Sequence, residues 1–192
     1  MKTKDRIITI ALDLFNREGV AQVSTNHIAE AVGISPGNLY YHFRNKEDII
    51  RAICSQLFTR TGEMFQPPTD RLPTLEDVQA WVKANFEVTW EYAFVYRELP
   101  ALLQQDAELA SLYRATRQRG YSGFRHLITL LQEAHVLTPD LNETTIDYLA
   151  DLFWLVTESW LTALQLQGLA PTEDNMQRGV EVMSLILQPY LL

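Results

Sequence analysis

The chain of 192 residues is long enough for one or two domains, and its 47% hydrophobic content is ample for a globular core, which excludes disorder as the main state. The formal net charge of -8 is unfavourable for nucleic-acid binding by the whole surface, but the charge is unevenly distributed. Residues 1–62 contain eight basic and six acidic residues, and the remainder contains eight and eighteen. Because phosphate binding depends on cations near the contacted surface, this asymmetry permits DNA at the N-terminal end and disfavours it elsewhere.

Membrane and metal functions have no support in the sequence. No apolar run approaches the roughly 18 residues of a membrane helix, and the polar residues within MKTKDRIITIALDLF are unlike a signal peptide. We therefore expect a cytoplasmic protein. The single cysteine, Cys54, can form no internal disulfide and lies on an apolar helix face, so we expect a buried thiol. Four scattered histidines predict no metal site, and no cofactor is expected.

The spacing of apolar residues predicts helices almost everywhere, and hence an all-α protein. A first helix is expected to begin with Thr3 as its N-cap and to end at Gly19. A second begins at Ser24 or Thr25 and ends at Gly33. These boundaries depend on side-chain hydroxyls that accept a hydrogen bond at a helix start and on glycines at a helix end.

The third and fourth helices follow closely. Ser35 is predicted to cap the third, with Pro36 at its first position, where a missing N–H is tolerated. The fourth extends from Lys46 to about Phe65 and precedes the proline-rich segment QPPTDRLPT, the clearest boundary in the chain. Pro100 and the turns HVLTPDLN and QGLAPTEDN separate four longer helical segments: Leu75 to Leu99, Asp106 to Ala134, Glu143 to Gln167 and Thr172 to Leu187.

The segment STNHIAEAVGISPGNLYYHF, residues 24–43, has the features of a helix-turn-helix. Ala29 is small where the helices cross, Gly33 can adopt the positive φ that the turn needs, and Leu39 can close the angle between the helices. The second helix then exposes polar groups on its outer face: Asn38, Tyr41 and His42, with Tyr40 at its edge. The large side chains of this segment could instead serve only to pack the small domain, as we expect for Leu39 and Phe43. One short helix cannot bury all its faces, however, so at least two of residues 40–42 should be exposed.

The segment TNHIAEAVGISPGNLYYHFRNKEDII resembles the DNA-binding segment of TetR-type transcriptional regulators. The resemblance covers roughly residues 3–58. It implies an all-α homodimer with a helix-turn-helix DNA-binding domain at residues 1–47 and an effector-binding and dimerisation domain at residues 48–192, connected by the helix at about 46–65. It also implies a transcriptional regulator, in most members a repressor released from its operator by a small effector.

The resemblance further implies which residues contact double-stranded DNA. Thr25, Tyr40 and Lys46 match positions that contact phosphates, and five residues match positions that face the groove: Asn26, Gly37, Asn38, Tyr41 and His42. Hydroxyls and lysines are groups that bind phosphate oxygens, and asparagine can read adenine through two hydrogen bonds. The second helix of the helix-turn-helix, which would be the recognition helix, contains no Arg or Lys. It therefore offers no arginine that could bind guanine through two hydrogen bonds.

The last two predicted helices are each apolar on two faces. In the helix from Glu143 to Gln167, one face carries Ile146, Ala150, Phe153, Val156, Trp160 and Leu164, and the other carries Leu152, Leu155, Ser159, Thr162 and Leu166. A helix that is apolar on two sides must be covered on two sides. We expect a homodimer in which these helices form a four-helix bundle across a two-fold axis. The alternative is a monomer that buries a central helix completely.

Aromatic residues concentrate in AWVKANFEVTWEYAFVYREL, residues 80–99, and on the helices that follow. Ligand pockets are mostly apolar with a few polar groups, so this concentration favours a small, largely apolar effector, although each aromatic residue alone fits an ordinary core. The candidate pocket residues are Trp81, Asn85, Phe86, Trp90, Arg97, His126, Trp154 and Glu158. His126 has no carboxylate or cysteine at ligand spacing and is not predicted to bind metal.

Two other classes of function, an enzyme and a helical adaptor, are the alternatives to a regulator. An enzyme would need a nucleophile with its base, paired carboxylates or a phosphate loop, and the adjacent Glu158 and Ser159 lack such an arrangement. A helical adaptor that binds a protein partner would use the exposed tyrosines for a different surface. Salt-dependent DNA binding distinguishes the adaptor from the regulator.

Overall fold

The computed structural model describes residues 2–192, and in these residues it confirms an all-α fold without strands. The helices are α1 (Thr3–Glu18), α2 (Thr25–Val32), α3 (Pro36–His42), α4 (Lys46–Met64), α5 (Leu75–Glu91), α6 (Ala93–Gln105), α7 (Ala107–Glu133), α8 (Glu143–Leu166) and α9 (Glu173–Leu187). A 3-10 turn, Gln188–Tyr190, follows α9, and Leu137 forms an isolated antiparallel bridge with Leu191. None of the helices within residues 2–192 has the length and hydropathy required to span a membrane.

Local capping signals place most of the predicted helix ends correctly. Ser24 caps α2, and Gly33 ends it in the left-handed region. Ser35 caps α3 with Pro36 at the start of the helix. The prediction of Thr3 as the first N-cap is wrong, because α1 begins at Thr3 and the capping position falls on Lys2, whose extended backbone accepts the first helical hydrogen bond through its carbonyl.

The predicted segment from Leu75 to Leu99 is divided at Tyr92 into α5 and α6, and Pro100 lies within α6 rather than between helices. Contacts distant in sequence explain the division, because the N–H of Phe94 donates to Asn16 Oδ1 at 2.9 Å. Proline costs about 3 kcal/mol inside a helix. Burial of Leu99 and Leu102 on either side of Pro100 opposes this cost and favours continuation of α6.

The described chain forms two compact units that are not contiguous in sequence. The first contains the residues up to Thr59 together with Tyr92–Leu112, and the second contains Arg60–Glu91 together with Tyr113–Leu192. The first unit therefore includes most of α4, all of α6 and the start of α7 in addition to the three N-terminal helices. The predicted division into a DNA-binding domain at residues 1–47 and an effector-binding and dimerisation domain at residues 48–192 concerns function, and it stays a prediction.

In the first unit, α1, α2, α3 and α4 share an apolar core. Its members include Ile7, Phe15, Ile28, Leu39, Ile49 and Ile53, each at most 1% exposed. Cys54 also lies in this core as predicted, and burial raises the pKa of its thiol to about 12. The buried core fixes α3 on one side only, which leaves the opposite side of this short helix open.

In the second unit, α5, α8 and α9 pack on one another. The helices approach closely at Gly179 of α9, where an added Cβ atom would overlap the rings of Phe86 and Trp160. Helix α8 has a buried and an exposed apolar face, and the buried face shares Ala150 and Leu164 with the predicted one but also contains Leu149 and Leu161, which were not assigned to it. One contains the buried Leu149, Ala150, Leu161 and Leu164, and the other contains the exposed Leu152, Leu155 and Leu166.

Candidate nucleic-acid interface and ligand-binding residues

The helix-turn-helix is formed by α2 and α3 and the three-residue turn between them. Gly33 has φ 74° and ψ 39°, a left-handed conformation that glycine adopts without steric cost. The N–H of Ile34 donates to the carbonyl of Ala29 at 3.0 Å, which closes the end of α2. Ser35 Oγ then accepts from the N–H of Asn38 at 3.2 Å and starts α3. The sequence of the turn thus fixes the direction in which α3 leaves.

The outer face of α3 is open to solvent, as predicted. Tyr41 is 84% exposed and Tyr40 is 48% exposed, whereas Leu39 and Phe43 are buried. The groove-facing candidates Asn26, Gly37 and Asn38 are exposed, and His42 is partly exposed. The rings of Tyr41 and His42 meet edge to face at 5.1 Å. These side chains therefore present hydrogen-bonding groups and aromatic edges outward.

The three predicted phosphate-binding residues have defined positions. Thr25 Oγ1 and the hydroxyl of Tyr40 lie 2.9 Å apart and share a hydrogen bond, which joins the start of α2 to α3. Lys46, at the start of α4, donates through Nζ to the carbonyls of Val20 and Val23 at 2.6 and 2.9 Å. Its ammonium group thus holds the loop between α1 and α2, and one of its three hydrogens remains for another acceptor.

A network of charged side chains joins the turn after α3 to α4 and to the start of α7. Asp48 of α4 accepts from Arg44 in the turn after α3 and from Arg51 one turn further along α4. Arg51 also donates to Asp106 at 2.5 Å, and Asp106 in turn accepts from the N–H groups at the start of α7. The hydrogen bond from Arg44 is the largest cause that lowers the pKa of Asp48 to about 2. The turn after α3 is therefore tied through α4 to the first turn of α7.

Three of the predicted ligand-binding residues belong to the packing between α5, α8 and α9. Asn85 is buried and donates through Nδ2 to Thr157 Oγ1 at 3.0 Å. Phe86 is 1% exposed and packs edge to face against Trp160. Trp81 is partly buried on the same helix. Asn85 and Phe86 thus have the contacts of core residues.

Trp154 and Glu158 of α8 meet a row of side chains on α7. Arg117 donates to both carboxylate oxygens of Glu158, at 3.0 and 2.9 Å, and its guanidinium lies over the rings of Tyr121 and Trp154. Tyr113 also donates to Glu158. Burial and then the hydrogen bond to Glu158 raise the pKa of Tyr113, which therefore stays neutral near pH 7. Paired charge and aromatic surface thus meet at one place in the second unit.

The remaining candidates do not join this cluster. Trp90 is 41% exposed near the end of α5, and His126 is exposed on α7. Arg97 lies on α6 in the first unit, where its guanidinium donates to the carbonyl of Asn16 at 2.7 Å. Trp90 was suggested as a member of the aromatic segment, and Arg97 and His126 were suggested as polar anchors for the aromatic cluster, but the break at Tyr92 assigns Arg97 to the other unit.

A separate apolar cleft of about 220 Å³ lies in the second unit. It is lined by Leu75, Val78, Gln79, Val82, Phe153, Met183, Ser184, Leu185, Leu187, Gln188 and Leu191, none of which was a candidate pocket residue. Sequence reasoning also missed Arg117, and it included Tyr113 and Tyr121 in the aromatic cluster without making them candidate pocket residues. Their spacing of four residues places them on one side of a helix, which was the available signal for this row.

An all-α protein in which a short helix after a tight turn exposes hydrogen-bonding side chains has the architecture of a helix-turn-helix DNA-binding protein. The family model for bacterial regulatory proteins of the tetR family matches residues 7–53, and the TetR model described as bacterial transcriptional repressor matches residues 58–192. The chain belongs to the TetR family. It is a DNA-binding transcriptional regulator and not an enzyme.

Several relatives match this chain over nearly its whole length. A TetR-family transcriptional regulator from Marinobacter aquaeolei VT8 is 34% identical with a TM-score of 0.91, over 100% of this chain and 92% of its own. The HTH-type transcriptional regulator AcrR of Shigella flexneri is 24% identical over 204 residues, which cover 100% of this chain and 90% of AcrR. SmeT, the repressor of the Stenotrophomonas maltophilia multidrug efflux pump SmeDEF, has the same fold, with a TM-score of 0.74 at 16% identity over 100% of this chain and 92% of its own. A complex of SmeT with triclosan has been solved.

Proposed function

We propose that this regulator is a cytoplasmic repressor that binds a pseudo-palindromic operator as a homodimer and leaves it when a small, largely apolar effector binds. The observation that carries the DNA part is the exposed outer face of α3, with Tyr41 84% exposed beside Asn38 and His42. In this proposal Thr25, Tyr40 and Lys46 contact phosphates. Five residues face the bases in the major groove: Asn26, Gly37, Asn38, Tyr41 and His42.

The homodimer is supported by an exposed apolar stripe on the second unit. Its members are Tyr148, Leu152, Leu155 and Leu166 on α8 and Leu185 on α9, each at least 45% exposed. Apolar side chains repeated along one helix face are expected to be covered by a partner. A two-fold contact between two copies of α8 and α9 covers both stripes at once and forms a four-helix bundle.

Effector binding belongs to the second unit in this proposal. The cluster of Arg117, Glu158 and Trp154 offers polar groups beside aromatic surface, which is the composition of a ligand site. SmeT has the same fold, and its solved complex with triclosan supports the proposal that this protein also binds a small ligand. Release from DNA then requires that the effector bind better to the form that binds operator poorly.

DNA binding, footprinting and transcription together test the proposal. The purified protein is expected to select a pseudo-palindromic site from a library of genomic DNA fragments, to protect it in footprinting, and to lower transcription from a promoter that contains this site in a purified system. Protection of a site that has no two-fold symmetry, or an increase in transcription, contradicts the proposal.

A panel of apolar compounds tests the effector. A compound that stabilises the protein against thermal unfolding should weaken operator binding, and operator should weaken binding of the compound by the same factor, with a coupling of about 1 to 3 kcal/mol. Trp154→Ala should lose the compound and keep operator binding. If no member of a broad panel binds, the effector part of the proposal is wrong.

A further inference from the structure

The recognition helix carries no Lys or Arg, so cations for the phosphate backbone must come from elsewhere in the first unit. Within residues 2–59, five of the seven basic side chains are held by a carboxylate or a backbone carbonyl: Arg6, Arg17, Arg44, Lys46 and Arg51. In the same range, Lys2 and Lys4 have neither kind of partner. Lys2 and Lys4, at the start of α1, are therefore the two basic side chains of this range that no carboxylate or carbonyl holds, and they add to the one hydrogen that remains on Lys46.

Lys4 is the one of these two lysines that has a defined place relative to α3. Its Nζ lies over the ring of Phe43, 5.4 Å from the ring centroid. Phe43 is the C-cap residue of α3 and is itself buried, so its ring is a fixed support. A cation above an aromatic face is attracted by the ring quadrupole while its remaining hydrogens stay free to donate.

We propose that Lys4 binds a DNA phosphate beside the C-terminal end of the recognition helix and that the ring of Phe43 positions its ammonium group. The proposal rests on the assignment of α3 as the helix that enters the major groove. The hydroxyl pair of Thr25 and Tyr40 supplies a neutral phosphate contact, and Lys4, held over Phe43, adds a charged one to that proposed for Lys46. Lys4 thus fixes the position of α3 on the duplex and reads no base.

The salt dependence of DNA binding tests this assignment. The probe is a fluorescently labelled duplex of mixed sequence, and the association constant is measured by anisotropy over a range of salt concentrations. The slope of log K against log salt is negative, and each lost phosphate contact reduces its magnitude by about 0.9. Lys4→Met in both subunits removes two contacts and should reduce the magnitude by roughly 1.8. Lys4→Arg should keep the slope because it keeps the charge.

Lys83→Met is the matched control, since Lys83 is exposed on α5 in the second unit and the substitution removes the same charge. It should leave the slope unchanged. Thermal unfolding of each variant shows whether the fold is retained, and a role of Lys4 in stability alone leaves the slope at the wild-type value. The inference is overturned if Lys4→Met has the wild-type slope or if Lys83→Met reduces its magnitude equally.

The same experiment separates this inference from the proposed function. A wild-type protein that binds neither the mixed duplex nor any genomic fragment of the library at any salt concentration contradicts the proposed operator binding itself. A wild-type protein that binds with a salt-dependent constant, beside a Lys4→Met variant with the same slope, contradicts only the role of Lys4.

Discussion

Lys46 has two tasks at once, and this limits what its substitution can reveal. Its Nζ donates to carbonyls 26 and 23 residues earlier in the chain, so replacement by alanine loosens a loop in addition to removing a proposed phosphate contact. The family resemblance implied a phosphate-binding role for this lysine, and the sequence placed it at the start of α4. The loop contacts could not be predicted, because they depend on how α1 and α4 are brought together in three dimensions. Residues on the exposed face of α3 give cleaner tests.

Substitutions at Asn38 and Tyr40 should separate base reading from phosphate binding. Asn38→Ala is expected to leave binding to mixed-sequence DNA nearly intact and to reduce discrimination at one symmetric operator position, by about 1 to 3 kcal/mol if the contact is bidentate. Tyr40→Phe removes the hydroxyl bonded to Thr25 and should weaken all duplexes alike. Competition between operator and scrambled duplexes measures both effects. An equal loss on both duplexes for Asn38→Ala contradicts base reading by this residue.

Gly179 allows a close approach of helices, and its substitution should destabilise the second unit. A Cβ atom there overlaps Phe86 and Trp160, and both side chains are confined by their packing. Gly179→Ala is expected to lower the free energy of unfolding by about 1 to 3 kcal/mol, as overpacking does. The control is Gly123→Ala in the middle of α7, where nothing lies within 4 Å, and which should stabilise the protein by roughly 1 kcal/mol. Urea denaturation measures both, and a stabilising Gly179→Ala contradicts the packing described here.

At the scale of helices, local chemistry predicts where a helix begins and tertiary contacts decide where it breaks. The starts of α2, α3 and α4 followed from Ser24, Ser35 and Lys46 in the sequence alone. The division between α5 and α6 did not, since it depends on Asn16, which lies 78 residues before Phe94. The same limit applies to the row of Tyr113, Arg117 and Tyr121. Its spacing was visible, but its partner Glu158 is known only from the packing of α7 against α8.

The link from α3 through α4 to α7 should depend on pH. The pKa of Asp48 is about 2 in the folded chain and 3.8 without its partners, so its ion pairs stabilise the protein above pH 3.8 and stop doing so as the pH falls toward 2. Asp48→Asn should therefore be less stable than wild type at pH 5 by about 1 kcal/mol, after allowance for solvent screening. The difference in the free energy of unfolding, followed by urea denaturation, should shrink between pH 4 and pH 2. A difference that stays constant over this range contradicts the assigned pKa.

For the whole molecule, the exposed apolar stripe on α8 and α9 predicts how a charged residue within the stripe changes the oligomeric state. Leu155 and Leu185 are 57% and 59% exposed, so arginine is tolerated at either position in an isolated subunit. In the proposed dimer the same arginine lies in an apolar contact that repeats across the two-fold axis, where an unpaired charge is strongly unfavourable. Leu155→Arg should therefore yield a folded monomer.

Sedimentation at micromolar concentration, with circular dichroism as a check on folding, measures this outcome. Gln118→Arg is the control, because Gln118 is exposed on α7 and outside the stripe, and it should remain dimeric. A wild-type monomer, or a dimer that persists in Leu155→Arg, contradicts the proposed interface. Loss of the dimer should also weaken operator binding, because each subunit then reads a half-site alone.

The attachment of α6 to α1 has a consequence for how the protein is made. Asn16 accepts from the N–H of Phe94, Arg97 donates to the carbonyl of Asn16, and the carboxylate of Glu98 accepts from the N–H of Val20. During translation the first 59 residues leave the ribosome well before residues 92–112, which complete the same compact unit. The nascent DNA-binding segment must therefore wait for about 40 further residues, or some seconds at bacterial elongation rates, before the end of α1 obtains its permanent partners.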